Sequence, residues 1–278
     1  MSDTLQLPLS LSFAPVVNQA PKRLSPSQVK GYNSLGFVQP FDVFSVDEIA
    51  EFRAYADGLM RDMGEGGAYG INCYQARLSG LYDIATDPCI LDMVEEFLGP
   101  NFLCWASAIL SKRPNDPKAE PWHQDASFWK LSPARTFTLW LAMDDADAEN
   151  SAMRFIPSTH EKGAFDVRAI EGGKAVFHQE TAGVDVLGDP FTNTLKAEQV
   201  SLHDDMLVHG SLPNASARRR CGLTLRYCPP EVQITDDSWA QGFEAILCRG
   251  DAKEWRTFPQ PENNDITAMT SPHVVGNN

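Results

Sequence analysis

A chain of 278 residues with 43% hydrophobic and 10% aromatic residues has the composition of an ordinary globular domain and can bury a sizeable core. Its 23 basic and 37 acidic residues leave a net charge of −14, which argues against nucleic acid and anionic membrane surfaces as partners; the one short basic run is Arg218-Arg219-Arg220. No stretch reaches the roughly 18–20 apolar residues of a membrane span, the N-terminus lacks a secretory pattern, and the six cysteines show no C-x-x-C spacing. The expectation is a cytoplasmic protein with reduced cysteines acting on a small molecule; its oligomeric state is not legible.

Residues 1–24 read as an irregular arm. Ser25-Pro26-Ser27-Gln28 is a capping box with proline at the first helical position, and predicts a short helix that should falter at Gly31. Gly36-Phe37-Val38, ahead of Pro40, reads as a strand. Ser45-Val46-Asp47-Glu48 opens a second helix, with Ile49, Phe52, Ala56 and Leu59 on one face, running to about Met63. GEGGAYG over 64–70 breaks that pattern, and Tyr74–Leu78 is read as a strand. Asp87-Pro88 starts a third helix that Gly99-Pro100 stops.

From Asn101 the pattern changes to short, often alternating apolar segments at 102–111, 122–128, 134–142, 152–156, 164–168, 195–202, 205–209 and 220–228. Short strands in that number suit a jelly roll, the double-stranded β-helix of cupin-like proteins. The expected fold is mainly β with N-terminal helices. It forms one domain: a helical cover at 25–100, the jelly-roll core at 101–230 and a C-terminal extension at 231–278. The polar, glycine-rich stretch 171–193 reads as a long loop, and the tail after Phe258 as irregular.

Within this frame, Pro121-Trp122-His123-Gln124-Asp125 holds an imidazole and a carboxylate two residues apart. On an extended strand both project from one face and can converge on one metal ion. A second histidine would complete the two-His, one-carboxylate facial set of non-haem Fe(II) oxygenases, which leaves positions open for a co-substrate and O2. Both His203 and His209 are candidates; Gly210-Ser211, Asn214 and a spaced arginine follow the latter.

These motifs, with Phe137–Asp145, Ala152–His160, His209-Gly210-Ser211 and Leu225-Arg226-Tyr227, resemble the phytanoyl-CoA dioxygenase family over roughly residues 25–230. The resemblance implies that His123, Asp125 and His209 bind Fe(II) and that Arg220 pairs with the distal carboxylate of 2-oxoglutarate. That role suits arginine, a rigid two-pronged donor that stays charged when buried. Ser211 could donate to the same carboxylate, and Thr138 or Trp140 could line its pocket, depending on strand register. Ser151 stands where the family often has glycine, a departure that affects the turn before Ala152. With Asp125 occupying the position that halogenating relatives leave open, hydroxylation is the implied reaction.

Trp122, Phe128, Trp129 and Arg77 are the candidate substrate contacts. The rings would suit an ammonium group, and Arg77, with Arg113, Arg135 and Arg154 in reserve, an anionic one. The chain also resembles the branch of that family that hydroxylates aminoalkylphosphonates, which implies an amino- or trimethylammonio-alkylphosphonate as substrate, with a natural product as the alternative. A zinc cupin-like hydrolase or isomerase, or a non-catalytic 2-oxoglutarate sensor, could use the same ligands. Arg226 remains open between site residue and structural partner. Arg218 and Arg219 read as solvated loop charges, and His178 and His273 as surface residues.

Overall fold

The computed structural model of the protein describes residues 9–170, 175–176, 178–240, 242–253 and 255–269. Both capping boxes form: Ser25 and Ser45 each accept from the backbone three residues on, while Gln28 and Glu48 reach back, opening α1 (Pro26–Leu35) and α2 (Val46–Met63). Helix α1 runs through Gly31 instead of faltering there, because Val29 and Tyr32 are buried and offset the roughly 1 kcal/mol that a mid-helix glycine costs. Two helices follow that the sequence did not announce, α3 (Gly67–Gly70) and α4 (Ser79–Ala85), and then α5 (Pro88–Leu98), capped by Asp87.

Residues 74–78 form a turn, not the expected strand. The buried Gln75 amide explains it by donating to Trp105 O at 3.1 Å and Glu244 O at 2.8 Å while accepting from Ser107 Oγ at 2.9 Å. A buried amide needs such partners, and here they lie on other segments.

Fourteen strands are described: β1 (Phe37–Asp42), β2 (Phe102–Lys112), β3 (Glu120–His123), β4 (Leu131–Ser132), β5 (Phe137–Ala142), β6 (Arg154–Phe155), β7 (Val167–Ala169), β8 (Gln179–Thr181), β9 (Phe191–Thr192), β10 (Gln199–Asp204), β11 (His209–Ser211), β12 (Arg220–Cys228), β13 (Gln233–Ile234) and β14 (Ile246–Arg249). A six-stranded antiparallel sheet has the order β1-β10-β5-β12-β2-β14, and a four-stranded one the order β3-β11-β6-β9. These are the two sheets of a jelly roll, without closure into a barrel. Strands β1 and β14, from outside 101–230, complete the edges of the larger sheet. The stretch 171–193 is not wholly a loop: β8 pairs with β7, and β9 extends the smaller sheet. His273 lies outside the described residues, and His178 is exposed.

Alternation along the larger sheet decides what faces the site. On β5, Phe137, Leu139 and Leu141 join the core beneath the helices, where the Phe97 and Phe137 rings stack at 4.5 Å. Thr138 and Trp140 face the other way, because successive strand residues point to opposite sides. A Cβ at Gly222 would meet the Trp140 ring at 2.2 Å, so only glycine lets the indole lie across β12. Among the described residues, no helix is long and apolar enough to cross a membrane.

Candidate metal centre and co-substrate pocket

Strands β3 and β11 pair with His123 directly opposite His209, so the two rings lie 4.1 Å apart. Strand β3 ends at His123. Gln124 stays extended and Asp125 opens a 3-10 turn, a correction to a strand running to 128. The turn forms because Ala126 N–H pairs away from β3, donating to Asp205 O at 2.9 Å. The Asp125 carboxylate consequently reaches 3.6 Å from His123 Nε2 and 4.0 Å from His209 Nε2. Ligand atoms of all three residues lie within 4.8 Å of one another, and all three are buried.

The outer nitrogens fix the tautomers. His123 Nδ1 lies 2.7 Å from Pro121 O and His209 Nδ1 2.9 Å from Leu207 O, so each Nδ1–H donates to a carbonyl and each Nε2 lone pair faces the carboxylate. Burial disfavours charge on both rings. At His123 the Asp125 carboxylate outweighs burial and raises the pKa; at His209 burial and the neighbouring His123 push it down to about 4. Burial would raise the Asp125 carboxyl, but His123, His209 and Arg226 hold it far below the usual range. An anionic carboxylate with two aligned imidazoles fits a divalent cation such as Fe(II).

His203, the competing histidine, lines the same cavity 4.8 Å from the His209 ring without joining the cluster, and burial lowers its pKa well below the ordinary value. The cavity also takes in Thr138, Trp140, Arg220, Thr224 and Arg226. Both Thr138 and Trp140 face it, as residues two apart on a strand must. Arg220 is 1% exposed; its Nε donates to Ser151 O at 3.2 Å, its Nη2 to Ser211 Oγ at 3.4 Å, and its guanidinium lies 5.7 Å from the Trp140 ring centre. Ser151 holds φ +70°, the left-handed conformation that favours glycine; its backbone carbonyl accepts from the arginine as a glycine's would, and what the serine adds is a hydroxyl that accepts from Lys112 and donates to Leu212 O.

Glu120 was not anticipated. Its carboxylate accepts from Ser211 Oγ at 2.6 Å and lies 3.6 Å from Arg220 Nη2, so an internal anion already engages the two proposed co-substrate contacts. Lys112, fully buried, donates to Leu212 O and to Ser151 Oγ, and burial drops its pKa to about 8. Burial would raise the Glu120 carboxyl, but Arg220, Lys112 and the Ser211 hydroxyl hold it at about 2. That lies below the ordinary 4.5, so the stabilisation is complete above pH 4.5 and is lost as pH falls toward 2. We expect Glu120→Gln to remove a pH-dependent stabilisation on the order of 2–3 kcal/mol. Melting curves at pH 6 and pH 3 check it: the wild type should lose more stability between them than the variant, and equal losses would refute the assignment.

The remaining sequence candidates scatter. The Trp122 ring is covered by Arg154 at 4.8 Å, and Phe128 lies 5.8 Å from the His123 ring. Trp129 is buried edge-on against Trp105, with Arg226 5.1 Å from its ring centre. Arg77 is not brought to the cavity; it forms a fork with Glu244 at 2.5 and 2.8 Å. Arg219 is a half-buried partner of Asp144 and Asp57, not a solvated charge, because those acids come from distant segments.

The sequence model of the phytanoyl-CoA dioxygenase family matches residues 32–222, more than half of the chain. The chain belongs to the phytanoyl-CoA dioxygenase family. A probable alpha-ketoglutarate-dependent hypophosphite dioxygenase of Stutzerimonas stutzeri is 31% identical over 146 residues, 51% of this chain and 51% of that protein. The peroxisomal phytanoyl-CoA dioxygenase of Bos taurus is 28% identical over 170 residues, 56% of this chain and 48% of that one. The chain thus spans about half the length of these two family relatives. Among solved structures, the apo form of the non-heme monooxygenase ThoJ aligns with a TM-score of 0.72 at 25% identity, over 84% of this chain and 88% of that one.

Proposed function

We propose that this member of the phytanoyl-CoA dioxygenase family is an Fe(II)- and 2-oxoglutarate-dependent dioxygenase. It hydroxylates an unactivated C–H bond of a small molecule, an amino- or trimethylammonio-alkylphosphonate. The reading rests on one juxtaposition: the buried His123–Asp125–His209 cluster shares a cavity with the buried Arg220. A zinc hydrolase would have no use for that arginine. The phosphonate assignment draws support from the probable hypophosphite dioxygenase relative, since hypophosphite is a phosphorus oxyanion.

In this reading His123 Nε2, His209 Nε2 and an Asp125 oxygen hold the metal. Arg220 and Ser211 hold the distal carboxylate of the co-substrate. Bound there, Fe(II) and 2-oxoglutarate supply the oxidising chemistry: with O2, the co-substrate becomes succinate and CO2, and the substrate C–H becomes C–OH. The protein's task is orientation. Pro121 O and Leu207 O fix both imidazoles, and burial excludes water from the ligands.

Succinate formation with Fe(II), ascorbate and 2-oxoglutarate, measured across a panel of phosphonates, amines and carboxylic acids, tests the proposal. We expect turnover with a phosphonate. Turnover confined to other compounds would remove the phosphonate assignment, and no turnover with zinc retained on purification would remove the oxygenase.

A further inference from the structure

Three adjacent strands of the larger sheet place His203, Thr138 and Arg226 in a single row. Thr138 on β5 is the register partner of His203 on β10 and of Arg226 on β12. All three line the cavity that holds the histidine–aspartate cluster. His203 and Thr138 are each 1% exposed. Yet both ring nitrogens of His203, the Thr138 hydroxyl and Arg226 Nε have no hydrogen-bond partner within the protein. A buried polar group without a partner costs about 1–3 kcal/mol, so several in one row mark a place where something else supplies the bonds.

The chemistry of the row favours an anion. Arg226 is a cation stacked on Trp129, and among the described residues no carboxylate lies within ion-pair distance of it. Arg226 presents N–H groups, Thr138 an O–H, and a neutral His203 one N–H, so the row offers donors from three strands to one group with several acceptor oxygens. Arg220 is six residues away on the same strand, about 20 Å along β12 at 3.3–3.4 Å per residue. In the reading above, the co-substrate fills the space between Arg220 and the metal, and the anion whose charge Arg226 offsets, Asp125, lies beyond ion-pair distance and is committed to the metal.

We propose that the His203–Thr138–Arg226 row receives the anionic head group of the organic substrate, a phosphonate or carboxylate, beside the metal centre. The inference rests on the oxygenase reading and adds to it the place where the substrate is held. The co-substrate's metal-proximal carboxylate has the same chemistry, and the experiment separates the two.

The test uses the full chain, anaerobic, with Fe(II). Binding of 2-oxoglutarate is followed by the charge-transfer absorption of its Fe(II) complex. Binding of 2-aminoethylphosphonate, 3-aminopropanoate and ethanolamine is followed by perturbation of that band. The wild type should bind at least one anionic probe and discriminate against ethanolamine. Arg226→Gln should weaken that probe about 30-fold or more with 2-oxoglutarate affinity within about twofold of wild type, and Thr138→Val should weaken the probe about fivefold and more than it weakens 2-oxoglutarate. Loss of 2-oxoglutarate affinity in Arg226→Gln equal to the loss of probe would assign the row to the co-substrate and overturn the proposal. Ethanolamine binding as tightly as the anions, or no anionic probe binding while 2-oxoglutarate does, would overturn it too and leave the oxygenase reading intact. Failure of 2-oxoglutarate itself to bind would remove the underlying reading. If Arg226→Gln does not fold, Thr138→Val carries the decision, since it removes one hydroxyl at nearly constant volume.

Discussion

Asp125→Ala is expected to lose Fe(II) binding by at least about 100-fold and to form no succinate above background. Even outer partners of metal ligands carry 10–100-fold in affinity, and Asp125 is the one carboxylate in the cluster. The lost group also carries the negative charge that offsets a dication, in a site closed to water. The variant should keep its fold, because the carboxylate's close contacts are the two imidazoles at 3.6 and 4.0 Å, while the turn is held by backbone bonds from Ala126, Ser127 and Phe128. Removing it should also let the His123 pKa fall, since Asp125 is what raises it against burial. Anaerobic calorimetric titration with Fe(II), paired with a thermal melt, is the measurement. Tight metal binding by a folded variant would remove Asp125 from the ligand set.

Arg220→Ala is expected to weaken 2-oxoglutarate by about 2–5 kcal/mol, roughly 30-fold to several thousandfold. Truncating one side of a buried charge pair loses the bond and leaves the other charge uncompensated. Here Glu120 makes the effect larger than a missing contact, because its carboxylate would face the incoming carboxylate with Lys112 and the Ser211 hydroxyl left to offset it. The double variant Arg220→Ala, Glu120→Gln should therefore recover part of the affinity. Fluorescence or calorimetric titration of the four proteins of this cycle reads the coupling directly. An unchanged affinity in Arg220→Ala would remove the anchor, and strict additivity would remove the part given to Glu120.

The features legible before folding are those whose partners are close in the chain. Ser25 with Gln28, Ser45 with Glu48 and Asp87 with Cys89 form caps across two or three residues, so composition at fixed offsets was enough. His123 and Asp125 could be paired for the same reason, and their motif, with those at 137–145, 152–160 and from His209 onward, carried the family resemblance. Boundaries were less legible: alternation through Gln124 suggested a longer strand, but a bond from Ala126 to Asp205, far along the chain, turned it.

The sequence by itself determined the starts of α1, α2 and α5, the β-rich core and the identity of the residues that could bind a metal and a dicarboxylate. Only the tertiary structure decided how they are surrounded. Glu120 meets Ser211 across 91 residues, Arg219 meets Asp57 across 162, and Gln75 finds Glu244 across 169. Strand pairing alone places Thr138 between His203 and Arg226. Such contacts leave no local pattern, because register between distant strands is set by which faces are buried together and not by neighbouring residues.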